Sequence, residues 1–377
     1  MPRLERSLGP NFLGMDPRQG GLYERESGPA NSAVMALASS VELSHEVQRA
    51  SAAEVARVIT ELQRHAASEA LENGTRHWDL TFDLREVVDP LLAHFCETWF
   101  GLSEQGGHFA RNGLKLTWNQ HEPPCYPGHL MAPSRYTFWP HPGPAVERIG
   151  AEHGLAIRRA LTAYLDEFGP SLTAPLARAI LDSELGKSDL DYAARTMAGL
   201  MMGFLPTVDA NMRRVADEWW REGTLWTLRN RAASGEATEV IAREIRREFV
   251  RAMQLRAAPD LLWRIAVTGH SIGDGPHAVK VCPGDVVVAS LISASQECMQ
   301  DGDPTLEHAF GGRRSRAGAH PPHACPGYGP AMAVMLGFFA GLVEYPGPLR
   351  PGPAPLTISM RGLVDQGPEA THLRHKP

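Results

Sequence analysis

Two copies of Cys-Pro-Gly stand in this chain, and the residues after them suit different chemistry. After Cys282-Pro283-Gly284 come Asp285-Val286-Val287-Val288, whose β-branched side chains favour a strand, so this copy reads as a Pro-Gly turn in a hairpin with a structural cysteine. After Cys325-Pro326-Gly327 come Tyr328-Gly329-Pro330 and the apolar run AMAVMLGFFAGLVE, the start of a helix. The unpaired N–H groups of a helix's first turn, and its positive dipole end, favour an anionic sulfur just upstream. Such a thiolate is a nucleophile or a metal ligand. The preceding HPPHA stiffens the approach, and Gly327 leaves backbone space beside the sulfur for a flat group. Two plainer readings stand beside this one. A free cysteine is commonly a small buried apolar residue. His320, His323 and Cys325 also offer zinc ligands, although no fourth stands at familiar spacing and two prolines restrict the histidines.

Other residues could do chemistry at helical spacing. His45 and Arg49 stand at i and i+4, so on a helix both could reach one carboxylate. Further on, Gly203, Pro206, Thr207 and Asp209 share the middle of a long helical pattern. Pro206 removes one helical hydrogen bond and predicts a kink. Thr207 can bond back to the Gly203 carbonyl, Asp209 and Asn211 read either as solvated helix residues or as a polar relay, and Met201, Met202, Phe204 and Leu205 read as core.

The elements that must position these residues are mostly helical. Leu43, Val47, Val55, Val58, Ile59 and Leu62 fall on one helical face, and residues 82–100 are again apolar at helical spacing, interrupted by Pro90. Residues 103–145, rich in Gly, Pro, His and aromatics, read as a lid over a binding site. Helices are predicted near 146–167, 173–184, 189–222, 236–257 and 331–343, with one strand-rich stretch at 263–291. Residues 1–31 form an irregular lead segment and 32–377 one domain. The fold class is mainly α with a small β element.

Composition bounds the partners. The 377 residues include 36 Gly and 30 Pro, below the level of low-complexity disorder, and 43% are apolar, enough for a packed core. A net charge of −6 argues against a nucleic-acid partner. Five scattered cysteines disfavour a disulfide framework, and no C-x-x-C-H pattern for covalent haem attachment occurs. Without a long apolar run or a secretory signal, the chain reads as cytoplasmic, with no transmembrane segment.

His323-Ala-Cys325-Pro-Gly327 before an apolar helix, preceded by GDVVVASLISAS, resembles the C-terminal region of a cytochrome P-450. The order of elements is similar too: a long Gly-containing helix, an Arg-rich helix, a small strand region, the Phe310-Gly311-Gly312-Arg313-Arg314 loop, the Cys loop and a last helix. The resemblance spans about residues 40–360 and implies a cytochrome P-450-like fold binding haem b. Cys325 would be the proximal iron ligand, Gly327 would flank it, and His45, Arg49, Arg264 and His323 would meet the propionates. The chain departs from the family at Gly318 and Pro321, where a Phe and a Gly are usual. The family's E-x-x-R has two registers, Glu248 with Arg251, or Met253 with Arg256, of which the second better fits the downstream spacing.

With 44 residues before His45, the family's N-terminal sheet and substrate-capping helices are expected to be mostly missing, and an upstream domain or partner chain would complete the pocket. The acid-alcohol pair of the oxygen-using members is absent in both possible registers, which place Met201 and Met202, or Leu205 and Pro206, there. Phe204-Leu205-Pro206-Thr207-Val208 is instead similar to fatty-acid peroxygenase members, with Leu205 in place of their Arg. The resemblance thus implies peroxide or hydroperoxide chemistry on a small lipophilic substrate, with Gly203, Pro206, Thr207 and Asp209 as distal residues. The alternatives are an O2-dependent monooxygenase fed by an electron donor, and a non-catalytic haem binder or sensor.

Overall fold

A computed structural model of the chain describes residues 40–112, 115–118, 144–266, 268–311 and 325–364, together with Leu4, Glu5, Val34 and Leu37. The first elements are β1 (Leu4–Glu5), α1 (Val41–Glu72), β2 (His77–Asp83), α2 (Arg85–Trp99) and the strands β3 (Phe109–Asn112) and β4 (Lys115–Trp118). Helices follow: α3 (Pro144–Phe168), α4 (Pro175–Leu181), α5 (Glu184–Ser188), α6 (Leu190–Glu222), α7 (Thr224–Ala233) and α8 (Thr238–Arg256). Then come β5 (Leu261–Ala266), β6 (His270–Ile272), β7 (Val279–Val281), β8 (Val286–Ser290), α9 (Leu291–Gln300), α10 (Tyr328–Glu344), β9 (Arg350–Pro351) and β10 (Thr357–Leu363).

The core is built around α10. Every residue from Pro330 to Val343 is buried, as a helix apolar on all sides must be. Its closest neighbour is α1, which starts where the Ser40 hydroxyl accepts the N–H of Leu43 at 3.2 Å. The approach depends on two glycines. A Cβ on Gly337 would collide with the carbonyl oxygen of Gln48 and lie 2.6 Å from Ser51 Cβ, and one on Gly341 would lie 2.7 Å from Val55 Cβ and 2.8 Å from the Ala52 carbonyl. On its other sides α10 meets α6 and α8, where the Phe339 ring lies 4.4 Å from Trp219 and 5.9 Å from Phe249. Arg229 of α7 closes its C-terminal end, donating to the carbonyls of Leu342, Tyr345 and Gly347. Burial without a carboxylate partner pulls this guanidinium down to about 10, so it stays charged at neutral pH.

Among the described residues, four small antiparallel sheets accompany the helices, ordered β1-β5-β8, β2-β10-β9, β3-β4 and β6-β7. β2 lies along β10 from His77 opposite Leu363 to Asp83 opposite Thr357, which ties the C-terminal strand between α1 and α2. Strand content is thus wider than the single predicted stretch at 263–291. Phe82, expected in a helix, is in β2, where Trp78 and Phe82 are buried at a period of two. Its helix starts only at Arg85 and continues through Pro90. The 173–184 prediction resolves into α4 and α5, α7 lies in a stretch read as punctuation, and α9 starts at the last residue of the strand-rich stretch. Of the predicted lid, β3 and β4 are described and residues 119–143 lie outside the described residues. Of the lead segment, β1 is described, with Leu4 opposite Ala266. No helix among the described residues is long and apolar enough to cross a membrane.

Gly337→Ala is expected to lower stability by about 1–3 kcal/mol, since the added carbon meets backbone that cannot move alone. Gly203→Ala, where an added Cβ meets nothing within 4 Å, should hold stability or raise it by up to about 1 kcal/mol. Urea unfolding of both variants checks this contrast.

Candidate functional site

Cys325 is half-buried two residues before Gly327, the N-cap of α10. Its peptide N–H donates to the Phe310 carbonyl at 2.9 Å, its carbonyl accepts from Tyr328 N–H at 3.4 Å, and Ala331 N–H donates to the Gly327 carbonyl at 2.8 Å. The Phe310 ring meets Tyr328 edge-on at 4.8 Å. The sulfur lies 3.6 Å from where a Cβ on residue 327 would be, so it sits beside the helix start that favours a thiolate. Phe204 of α6 reaches the same bend, with Cδ2 at 3.4 Å from that Cβ position.

The bend is held from behind by a residue that sequence reasoning missed. Gln254 of α8, 3% exposed, donates from Nε2 to the carbonyls of Asp303 at 2.7 Å and Thr305 at 3.0 Å. That segment leads to Phe310, which receives Cys325. The detectable signal was a lone amide on the apolar face shared by Val250 and Met253. Neither candidate arginine plays this part. Arg251 pairs with Glu222 and Glu248, and Arg256 pairs with Asp217 at 2.5 Å.

In α6, Pro206 lies within one continuous helix. The Thr207 hydroxyl donates to the carbonyls of Gly203 at 2.5 Å and Phe204 at 3.0 Å. Asn211, 3% exposed, is a clamp: Nδ2 donates to the carbonyls of Thr207 and Ala258, both at 2.8 Å, and Oδ1 accepts Ala258 N–H at 2.6 Å. Asp209 accepts Nε and a terminal nitrogen of Arg213, at 3.0 and 2.5 Å. It lies five residues after Phe204, about 140° round the helix, and feels the charges of Asp89 and Arg85 on α2. Burial raises its carboxyl above the ordinary range although Arg213 opposes this.

His45 and Arg49 are exposed on α1, where the charge of His45 acts on Glu42 three positions earlier. Each is two positions from buried Val47, about 200° round the helix from it. Arg264 stands in β5 opposite Val287. His320, His323, Gly318 and Pro321 lie outside the described residues, and among the described ones no three His, Cys, Asp or Glu gather as a metal site. The other Cys-Pro-Gly copy is a turn, with Gly284 at φ 92° donating to the Ala266 carbonyl at 2.8 Å. It closes no hairpin, because β7 pairs with β6 and β8 with β5. Cys282 itself is exposed.

Gln254→Leu removes both hydrogen bonds from the buried amide to the Asp303 and Thr305 carbonyls and should cost about 1–3 kcal/mol, with faster hydrogen exchange in residues 303–310 than elsewhere. For Asp209, the native state keeps its proton to higher pH than the unfolded chain. Stability therefore falls as pH rises from the ordinary carboxyl value of 3.8 through the raised one. Asp209→Asn should flatten that fall in urea titrations across the acid range.

No protein-family model and no curated protein sequence matches the chain. Solved structures do. Cytochrome P-450 BioI, in complex with hexadec-9Z-enoic acid ligated acyl carrier protein, is 11% identical with a TM-score of 0.58, over 95% of this chain and 87% of that one. CalO2 is 15% identical with a TM-score of 0.58, over 92% and 77%. The cytochrome P-450 CYP102L1 is 14% identical with a TM-score of 0.58, over 96% and 89%. At these identities the likeness is one of architecture: the chain has the cytochrome P-450 fold.

Proposed function

We propose that this protein is a haem-thiolate oxidoreductase of cytochrome P-450 type, in which Cys325 would hold the iron of haem b, with a small lipophilic molecule as substrate. The observation that carries the reading is the place of Cys325 within this fold, half-buried at the head of α10 with its peptide N–H held by the Phe310 carbonyl. The donor chemistry fits a thiolate-bound macrocycle. A sulfur beside a helix N-terminus ionises readily, and the glycine two residues on presents no side chain. A haem held in this way supplies activation of dioxygen or peroxide, because an electron-rich sulfur favours O–O cleavage.

The chain's own residues do the rest. Gln254, through residues 303–310, holds the bend in place. Phe204, Phe95 and Trp99 make the α6 and α2 side apolar, which suits a lipophilic substrate. BioI is itself seen with an acyl chain carried by its partner. His45 and Arg49, exposed on α1, with Arg264 and His323, are the proposed propionate partners. Around Gly203 and Pro206, the Thr207 hydroxyl donates to backbone carbonyls and Asp209 is paired with Arg213. Neither is poised to pass protons toward the Cys325 side. A peroxide brings its own electrons and protons, and that favours peroxide or a hydroperoxide as oxidant.

The test is spectroscopic first. Cys325→Ser should abolish the red-shifted ferrous-carbonyl band, while Cys282→Ser should keep it; the reverse result would move the ligand to the other turn. Rapid mixing with hydrogen peroxide or a lipid hydroperoxide should then give product without a reductase. Product only with NADPH and a redox partner would make the protein an O2-dependent monooxygenase, and product in neither case a haem binder without turnover.

A further inference from the structure

Phe204 is where three separate features of the site meet. Its ring stacks on Phe95, with centroids 4.3 Å apart and planes 9° from parallel, and Phe95 stacks on Trp99 at 5.5 Å and 8°. The end of this stack rests against the Cys325 bend, with Cδ2 of Phe204 at 3.4 Å from a Cβ position on Gly327 that lies 3.6 Å from the sulfur. A flat group held between two carbon surfaces needs them roughly 7 Å apart, twice the ordinary contact distance. The ring of Phe204 therefore takes room that such a group needs.

The helix that carries this ring is weakly bonded there. Pro206 has no N–H for the Met202 carbonyl, and the Thr207 hydroxyl draws on the carbonyls of Gly203 and Phe204. One position before it, an added Cβ on Gly203 would meet nothing within 4 Å, so nothing packs against the helix backbone at that position. Phe204 is 8% exposed, at the margin of the core and not in its centre.

We infer that Phe204 gates the site: its stack on Phe95 holds the ring over the Cys325 bend, and the ring must swing or step back with the 202–207 turn before a flat macrocycle can lie against the sulfur. This rests on the reading of Cys325 as a haem ligand. It adds that the distal helix, and not only the Cys loop, sets how readily haem enters. A gate shut about nine-tenths of the time weakens apparent affinity about tenfold, and opening it restores that factor.

The experiment is hemin titration of the full-length protein, followed by the Soret band, with uptake rates from rapid mixing. Phe204→Ala should bind hemin about tenfold more tightly or faster than the unaltered protein, Phe204→Leu should fall between, and Phe204→Trp should be slower than either. Phe95→Leu, which removes the stacking partner and leaves residue 204 in place, should act in the same direction as Phe204→Leu. Far-ultraviolet circular dichroism identifies folded variants, and the two leucine variants carry the test if Phe204→Ala does not fold. Hemin uptake that is equal in the unaltered protein and the leucine variants, with the thiolate spectrum intact, overturns the gate and leaves Cys325 as ligand. Uptake by none of them overturns the ligand reading, and the gate with it.

Discussion

The close approach of α10 to α1 at Gly337 and Gly341 is the constraint on which the rest of the structure depends. With no Cβ at either position, the α10 backbone comes down onto the turn from Gln48 to Val55. A helix whose residues are buried from Pro330 to Val343 can then be surrounded on all sides. Close packing of this kind is intolerant of added volume, so it determines where α10 begins as well as where it lies. Because Cys325 stands at that beginning, a contact far from the sulfur decides the sulfur's position.

The second half of the site is held by hydrogen bonds from side chains to backbone. Gln254 holds the carbonyls of Asp303 and Thr305, Phe310 holds Cys325, and Asn211 holds the peptide of Ala258 against α6. Buried amides of this sort are satisfied in only one arrangement, which makes them registers for the loops they touch. The arginine pairs of the neighbouring surface, such as Arg256 with Asp217, are half exposed and contribute little by comparison. A network of neutral amides thus links α6, α8 and the Cys loop.

On α6 the same economy leaves few free polar groups. Thr207 is turned to its own helix and Asp209 to Arg213, while the face toward the Cys325 bend carries the Phe204 ring. The apolar stack from Trp99 through Phe95 to Phe204 excludes water from that side and continues the core to the edge of the bend. The bend thus has an aromatic surface on one side and a sulfur at a helix head on the other.

Local pattern alone determined a good deal. Helical periodicity marked α1, α3, α6, α8 and α10, and the residues after each Cys-Pro-Gly separated the turn at Cys282 from the helix head at Cys325. These readings hold because period, β-branching and Pro-Gly punctuation act over a few neighbouring residues. The alternation that puts Trp78 and Phe82 inward in β2 was equally local, but its partner strand β10 is far along the chain, and an isolated strand signal is weak without its partner. Four things were decided only in three dimensions: that β2 meets β10, that Gln254 and neither Arg251 nor Arg256 ties down the approach to the Cys loop, that His45 and Arg49 are left exposed on α1, and that Phe204 reaches Gly327. Each depends on which distant surfaces come together, and that is settled by packing the whole core, to which spacing along one segment is blind.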